Sequence, residues 1–451
     1  MTDLLSASAL DLAALVRSRS VSSVELTRFF LDRIARHDGA LSSFVSVIAE
    51  AALGSARRKD ARTSRGDLPA FHGVPIGIKD ANFVRGTFTR MGSRAFRWLW
   101  SPVDDVTAAA LRRGGFVILG KLATSEFGAM PVTEPDIHPP TRNPWALDRT
   151  PGGSSGGSGA AVAAGLLPIA QGSDGAGSIR IPSAFCHLYG FKCSRGRLPE
   201  PHAATDVFRL TSCGPLAHTV DDAAAMMAVM GDQPPPRPAS RVGPRLRIRV
   251  ATRSPLGPTE PEIEAATLRV ARLLESLGHH VEDAPFADGS LDEFMPLWQR
   301  LEANIPVLGE SLLQPVTRWL REGGRRHAIE DVAARHRALE ARVLAGFGDV
   351  DLWVTPAVPV LPPKIGAWRD LPPEEAFRQA AQLGPFTAPF NLSGQPAASV
   401  PAGVSREGLP IGVQIVGRRD ADETVLAVSR ELEAAMPWRG RRAPMAATGS
   451  C

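Results

Sequence analysis

The sequence predicts an α/β protein, with helices laid over the faces of a sheet. Between residues 105 and 230, helical patterns alternate with short apolar runs. Apolar residues make up 44% of the chain and charged residues 22%, the balance of a soluble globular protein. At 451 residues the chain exceeds one small core, yet it carries no internal repeat and nothing that forces a split. It reads as a single domain: a helical layer over residues 1–70, a segment over 71–230, a proline-rich loop over 231–245, and a C-terminal half over 246–440.

The elements follow in order. Ser22 and Glu25 have the spacing of a capping box, and Leu26, Phe29, Phe30 and Ile34 follow at helical intervals. Phe44–Ile48 reads as a strand and Glu50–Arg62 as a helix. After a polar loop, Gly73–Asp80 reads as a buried strand ending in charge. Helices are expected at Val106–Arg113 and Ser158–Ala164, and strands at Phe116–Leu119 and Leu166–Ala170. The run Pro234-Pro235-Pro236-Arg237-Pro238 breaks the pattern as a surface loop. Strand signals resume at Leu246–Val250, Leu352–Thr355, Ala398–Pro401 and Ile411–Val416. Between them lie helices near Pro261–Leu277, Leu291–Leu301 and Ala328–Phe347; a proline is tolerated in a first helical turn.

Composition excludes several functions. The net charge is +4 and the arginines are scattered, so no basic tract marks a nucleic-acid binder. The short cluster Arg325–Arg326–His327 reads as a solvated helix face. No apolar stretch is long enough to span a membrane, and Met1-Thr2-Asp3 opens no signal peptide. The four cysteines form no ligand-like set, which fits a reduced, cytoplasmic protein needing neither metal nor organic cofactor. Only five lysines stand against 46 arginines. A lysine in such a chain marks a position where an amine able to lose its proton has a use, since arginine stays charged.

Two glycine-rich segments concentrate the chemistry: Pro151–Ala160 and Gly172–Arg180. Each precedes a helical pattern and can aim backbone N–H groups at negative charge. Neither fits a phosphate loop or a dinucleotide fingerprint, because no lysine falls between Lys121 and Lys192 and the glycine spacing is wrong. Gly152-Gly153-Ser154-Ser155-Gly156 does satisfy the nucleophile elbow of an α/β-hydrolase esterase, with Ser154 as nucleophile. That motif needs a strand directly before it, and Asn143–Pro151 reads as a loop.

Together with Gly73–Asp80, Asn391–Ala397 and Gly408–Gln414, these segments resemble the amidase signature family over roughly residues 5–435. Ser154 and Ser178 stand 24 residues apart, the family's spacing between cis-serine and nucleophile. The resemblance implies an α/β/α sandwich with a large mixed central sheet. It also implies a triad of Ser178 as nucleophile, Ser154 as relay and Lys79 as base, with a cis peptide between Gly153 and Ser154. Backbone N–H groups of Gly175, Ala176, Gly177 and Ser178 would form the oxyanion hole, with Asp174, Arg180, Gly153 and Ser155 in support. The chain departs from the family at Ala176, where glycine is usual.

This set makes physical sense. A serine hydroxyl needs a base, and lysine serves only when burial keeps it neutral. The expected enzyme is an amidohydrolase cleaving a carboxamide or carbamate C–N bond through an acyl-Ser178 intermediate. Phe127, Gly128 and Met130 are candidates for the substrate pocket, with Trp298, Ile305, Leu308, Trp319 and Leu320 from the C-terminal half. The partner is a small-molecule amide or carbamate with a bulky, uncharged or aromatic group. The enzyme is expected to be a monomer or homodimer. A second reading within the family is the A subunit of a glutamine-dependent tRNA amidotransferase.

Overall fold

Ser22 and Glu25 cap the helix Ser23–Leu41 reciprocally: the Ser22 hydroxyl accepts from the Glu25 N–H, and the Glu25 carboxylate accepts from the Ser22 N–H. Leu26, Phe30 and Ile34 fall on one face of it and are buried, while Phe29 is only partly covered. In the computed structural model, which describes residues 4–64, 66–233, 245–254, 256–286 and 289–447, this helix packs beside the helix Ala49–Asp60 and over the sheet.

The strands are β1 (Phe44–Val47), β2 (Pro75–Lys79), β3 (Thr87–Phe88), β4 (Trp100–Ser101), β5 (Val117–Leu122), β6 (Ile169–Asp174), β7 (Tyr189–Lys192), β8 (Ser212–Ala217), β9 (Arg247–Val250), β10 (His280–Asp283), β11 (Leu352–Pro356), β12 (Ala397–Val404) and β13 (Pro410–Gly417). Among the described residues, β3 and β4 pair as a small ribbon and the other strands form one sheet. Its order is β1-β5-β2-β6-β8-β7-β12-β13-β11-β9-β10. The sheet is mixed: β5, β2 and β6 run parallel, as do β11, β9 and β10, and antiparallel pairings join the two groups. Every residue of β2, β5, β6, β7 and β8 is buried, as befits strands covered on both faces.

The expected α/β class, with its large mixed sheet between helices, is therefore the observed one. The expected strand Leu166–Ala170 begins later and runs to Asp174, because the polar residues Gln171, Ser173 and Asp174 are paired inside the sheet rather than solvated. Strands β7 and β8 escaped the sequence reading, since Gly190, Gly214 and Pro215 lower the β-propensity of both. The run 234–238 lies outside the described residues, as does most of the loop expected over 231–245. Among the described residues, no helix is long and apolar enough to cross a membrane.

The parallel trio matters most for function. Strands that run parallel bring their carboxyl ends to one edge of the sheet, where open α/β sheets place their ligands. Here that edge carries Lys79 at the end of β2 and Asp174 at the end of β6.

Candidate active site

Lys79 is 1% exposed. Its backbone N–H donates to Gln171 Oε1 at 3.0 Å, which fixes the end of β2 against β6. Its Nζ lies 2.7 Å from Ser154 Oγ, 2.9 Å from Ser173 Oγ and 3.4 Å from the Ser173 carbonyl oxygen. Burial pushes the amine's pKa down to about 7. The neighbouring buried amine of Lys121 differs: it has a carboxylate partner, Asp80 Oδ1, at 2.8 Å. Lys79 is held by hydroxyls and a carbonyl, groups that tolerate a neutral amine.

Ser154 sits in the irregular segment before the helix Gly156–Ala163, and its peptide bond to Gly153 is cis. No strand leads directly into it, so the nucleophile-elbow arrangement of an α/β-hydrolase is not present here. A side chain at position 153 would collide with the Val132 backbone at 2.7 Å, so only glycine fits. Thr133 Oγ1 donates to the carbonyls of Gly152 and Ser154, at 3.0 and 3.3 Å, and pins the loop from outside.

Ser178 lies in the turn between β6 and the helix Arg180–Cys186. Two links tie this turn to the first loop. The Ser155 N–H donates to the Ser178 carbonyl at 3.2 Å, and Ser155 Oγ exchanges bonds with the Ser173 backbone at 3.1 and 3.2 Å. Among the described residues, the Ser178 hydroxyl has no hydrogen-bond partner, so its proton is uncommitted.

Asp174 organises the turn. Its carboxylate accepts from the backbone N–H of Gly177 at 2.7 Å and of Ile179 at 3.1 Å, and from Arg180 Nε and Nη2 at 2.9 and 2.8 Å. Burial pushes this carboxyl up, but the Arg180 charge and its bonds, with Lys192 and Asn391, outweigh that and hold it well below the usual carboxylate range. Arg180 is itself satisfied by the Thr387 carbonyl at 3.0 Å, by Gln414 Oε1 at 2.6 Å and by Asn391 Oδ1. Because Gly177 gives its N–H to Asp174, the N–H groups of Gly175, Ala176 and Ser178 remain of the four expected oxyanion donors. Ala176 is accommodated for a simple reason: the left-handed angle of this turn falls on Gly177, at φ 128°, and Ala176 keeps an ordinary one.

Two cavities meet at Ser178. One, of about 330 Å³, is lined by Lys79, Ser154, Ser173, Phe127, His202 and Glu302. The other, of about 120 Å³, is lined largely by apolar groups, among them Met130, Ala176, Ile181, Phe286, Phe294 and Phe377. Gly128, Ser178 and Trp298 border both. Phe127, Gly128, Met130, Trp298 and Ile305 thus line cavities beside Ser178, as the sequence suggested. Leu308, Leu320 and Trp319 do not. Leu308 is fully exposed on a loop, Leu320 is fully buried behind the cavity wall in the cluster that holds Trp298 and Phe377, and Trp319 packs on the ring of Phe377.

Sequence reasoning missed Ser173, Thr387, Asn391 and Gln414. All but Thr387 stand in segments it had singled out, and the amides of Asn391 and Gln414 were the available signal there.

A large mixed sheet carrying a buried lysine–serine pair at its edge is the architecture of a hydrolase acting on amide C–N bonds. The chain belongs to the amidase family, whose model matches residues 25–426. It is 39% identical to an amidase-family protein of Synechocystis sp., over 96% of this chain and 89% of that one. It is 33% identical to the 6-aminohexanoate-cyclic-dimer hydrolase of Paenarthrobacter ureafaciens, over 95% of both. The solved 6-aminohexanoate cyclic dimer hydrolase in complex with substrate superposes with a TM-score of 0.88, at 32% identity, over 99% of this chain and 100% of that one. A bacterial aryl acylamidase does so with a TM-score of 0.85, at 27% identity, over 96% and 97%.

Proposed function

We propose that this amidase cleaves a bulky, uncharged carboxamide or carbamate through an acyl-Ser178 intermediate. The observation that carries the reading is the 2.7 Å contact between the buried Lys79 amine and Ser154 Oγ, in a cavity that Ser178 also lines. Neutral Lys79 takes the Ser154 proton as Ser154 takes that of Ser178, and Ser178 Oγ attacks the substrate carbonyl. The oxyanion is met by the N–H groups of Gly175, Ala176 and Ser178; such donors commonly contribute about 3–4 kcal/mol each. The relay then runs backward, the leaving amine receives the proton, and water releases the acyl group by the same route.

The apolar lining of the smaller cavity supports a bulky acyl or amine group. Relatives named for a cyclic dimer and for aryl acyl amides point the same way.

The test is turnover of aryl amides and cyclic diamides by the purified chain and by Ser178→Ala, Lys79→Ala and Ser154→Ala. The first two variants should lose about 10³-fold or more, the third somewhat less. Near-normal turnover by both Ser178→Ala and Lys79→Ala would sink the mechanism. Activity of the chain purified alone also separates it from an amidotransferase A subunit, which works inside a complex.

A further inference from the structure

Glu302 stands near the end of the helix Leu291–Ala303 and borders the larger cavity at Ser178. It is 0% exposed, and among the described residues neither of its carboxyl oxygens has a hydrogen-bond partner. The nearby guanidinium of Arg321 is committed elsewhere: it donates to the backbone carbonyls of Glu302 and Ile305 and to the Glu310 carboxylate. His202 Nε2, on the same cavity, is likewise buried without a partner. A buried polar side chain left unsatisfied is costly, and natural folds keep few of them without a use.

We propose that Glu302 is a specificity-determining residue, binding a second, neutral hydrogen-bonding group of the substrate, of the carboxamide, carbamate or urea class. This rests on the reading of the cavity as the substrate site. A carboxylic acid offers one donor and one acceptor, and a carboxamide offers the complementary pair. Burial and the neighbouring charge of Glu126 raise the Glu302 carboxyl well above the usual range, against a smaller opposing pull from Arg321, which favours the protonated form that carries the donor. The two cavities thereby differ in chemistry: one takes an apolar group, the other a group that can satisfy Glu302. A purely hydrocarbon group in the larger cavity would leave the acid stranded, which is how such sites reject analogues.

The experiment uses benzanilides bearing a carbamoyl, an isopropyl or an aminomethyl group on either ring. Binding is measured to Ser178→Ala, so that it does not depend on turnover. On one of the two rings the carbamoyl ligand should bind about tenfold or more tighter than the isopropyl ligand. Adding Glu302→Leu should abolish that preference; adding Glu302→Gln, which keeps a donor and an acceptor, should preserve it. Glu302→Leu should also leave the melting temperature unchanged or raised, because it removes an unpaired buried carboxyl. A preference that survives Glu302→Leu, a preference for the aminomethyl ligand, or no discrimination among the ligands would each overturn the proposal. So would a lowered melting temperature, which would mark Glu302 as structural. Turnover of the same panel by the unaltered enzyme judges the amidase mechanism separately. Failure there with Glu302-dependent binding intact would fault the mechanism and leave this assignment standing.

Discussion

Arg180 grips Asp174 through two parallel hydrogen bonds, and both side chains are wholly buried. The same carboxylate holds the backbone of Gly177 and Ile179, on either side of Ser178. The ion pair is therefore a clamp on the turn that carries the proposed nucleophile.

Breaking that clamp should cost both stability and turnover. Arg180→Leu leaves Asp174 charged, buried and deprived of its main partner, a change that costs about 3–5 kcal/mol. Arg180→Lys should rescue little, because an ammonium cannot reproduce a planar fork that also serves Thr387, Asn391 and Gln414. Urea unfolding and kcat, measured on both variants, check this.

The pH profile follows from Lys79. As the proposed base, its amine must be neutral to act, and burial lowers its pKa to about 7. Activity, as kcat/KM, should rise with pH through that value and level off above it. Between about pH 7 and the ordinary lysine value, the unfolded chain holds a proton here that the folded chain does not, so this group's contribution to stability rises with pH. A rate profile that is flat between pH 6 and 8 would count against Lys79 as the base.

Positions 176 and 177 should respond unequally to small changes. At Gly177 a methyl group would lie 2.3 Å from Thr387 Oγ1, at φ 128°. Gly177→Ala should cost about 1–3 kcal/mol and most of the activity. Ala176→Gly, which restores the residue usual in the family, should change turnover only a few-fold. It should lower stability by about 0.5–1 kcal/mol through the entropy of the unfolded chain. Thermal unfolding and initial rates on the pair decide it.

Trp298 borders both cavities and is anchored by its Nε1–H to the Ala129 carbonyl at 3.1 Å. Trp298→Ala should raise KM for bulky aryl amides about tenfold or more through lost contact area. Small primary amides should be far less affected. Steady-state kinetics on one substrate of each size distinguishes this from a general loss of folding.

The sequence carried the site further than it carried the pocket. Glycine loops, serine spacing and a lysine after an apolar run are local features, and they carry the family resemblance that pointed to Lys79, Ser154 and Ser178, which the fold brings to one cavity. The scarcity of lysine was informative too: Lys79, Lys121 and Lys192, three of the five, are buried. What stayed hidden depends on long-range contact. Asn391 and Gln414 reach Arg180 across 211 and 234 residues. Trp319 and Leu320 were apolar in the right half of the chain, but the helix Pro315–Arg325 buries Leu320 behind Trp298 and Phe377 rather than on the cavity surface. Glu302 gave no signal at all, since an acidic residue in an amphipathic helix reads as solvated until its burial is seen.

Two chambers that open on the same hydroxyl also impose a sequence of departures. On the proposed acyl-Ser178 route, once the bond to nitrogen breaks, the fragment in one chamber can diffuse away while the other stays tethered to the enzyme, and the emptied space admits whatever attacks next. Hydroxylamine offered at that moment should compete with water and emerge as a hydroxamate. On that route hydrolysis is acyl transfer whose usual acceptor is solvent, and hydroxamate formation is the outcome that checks it.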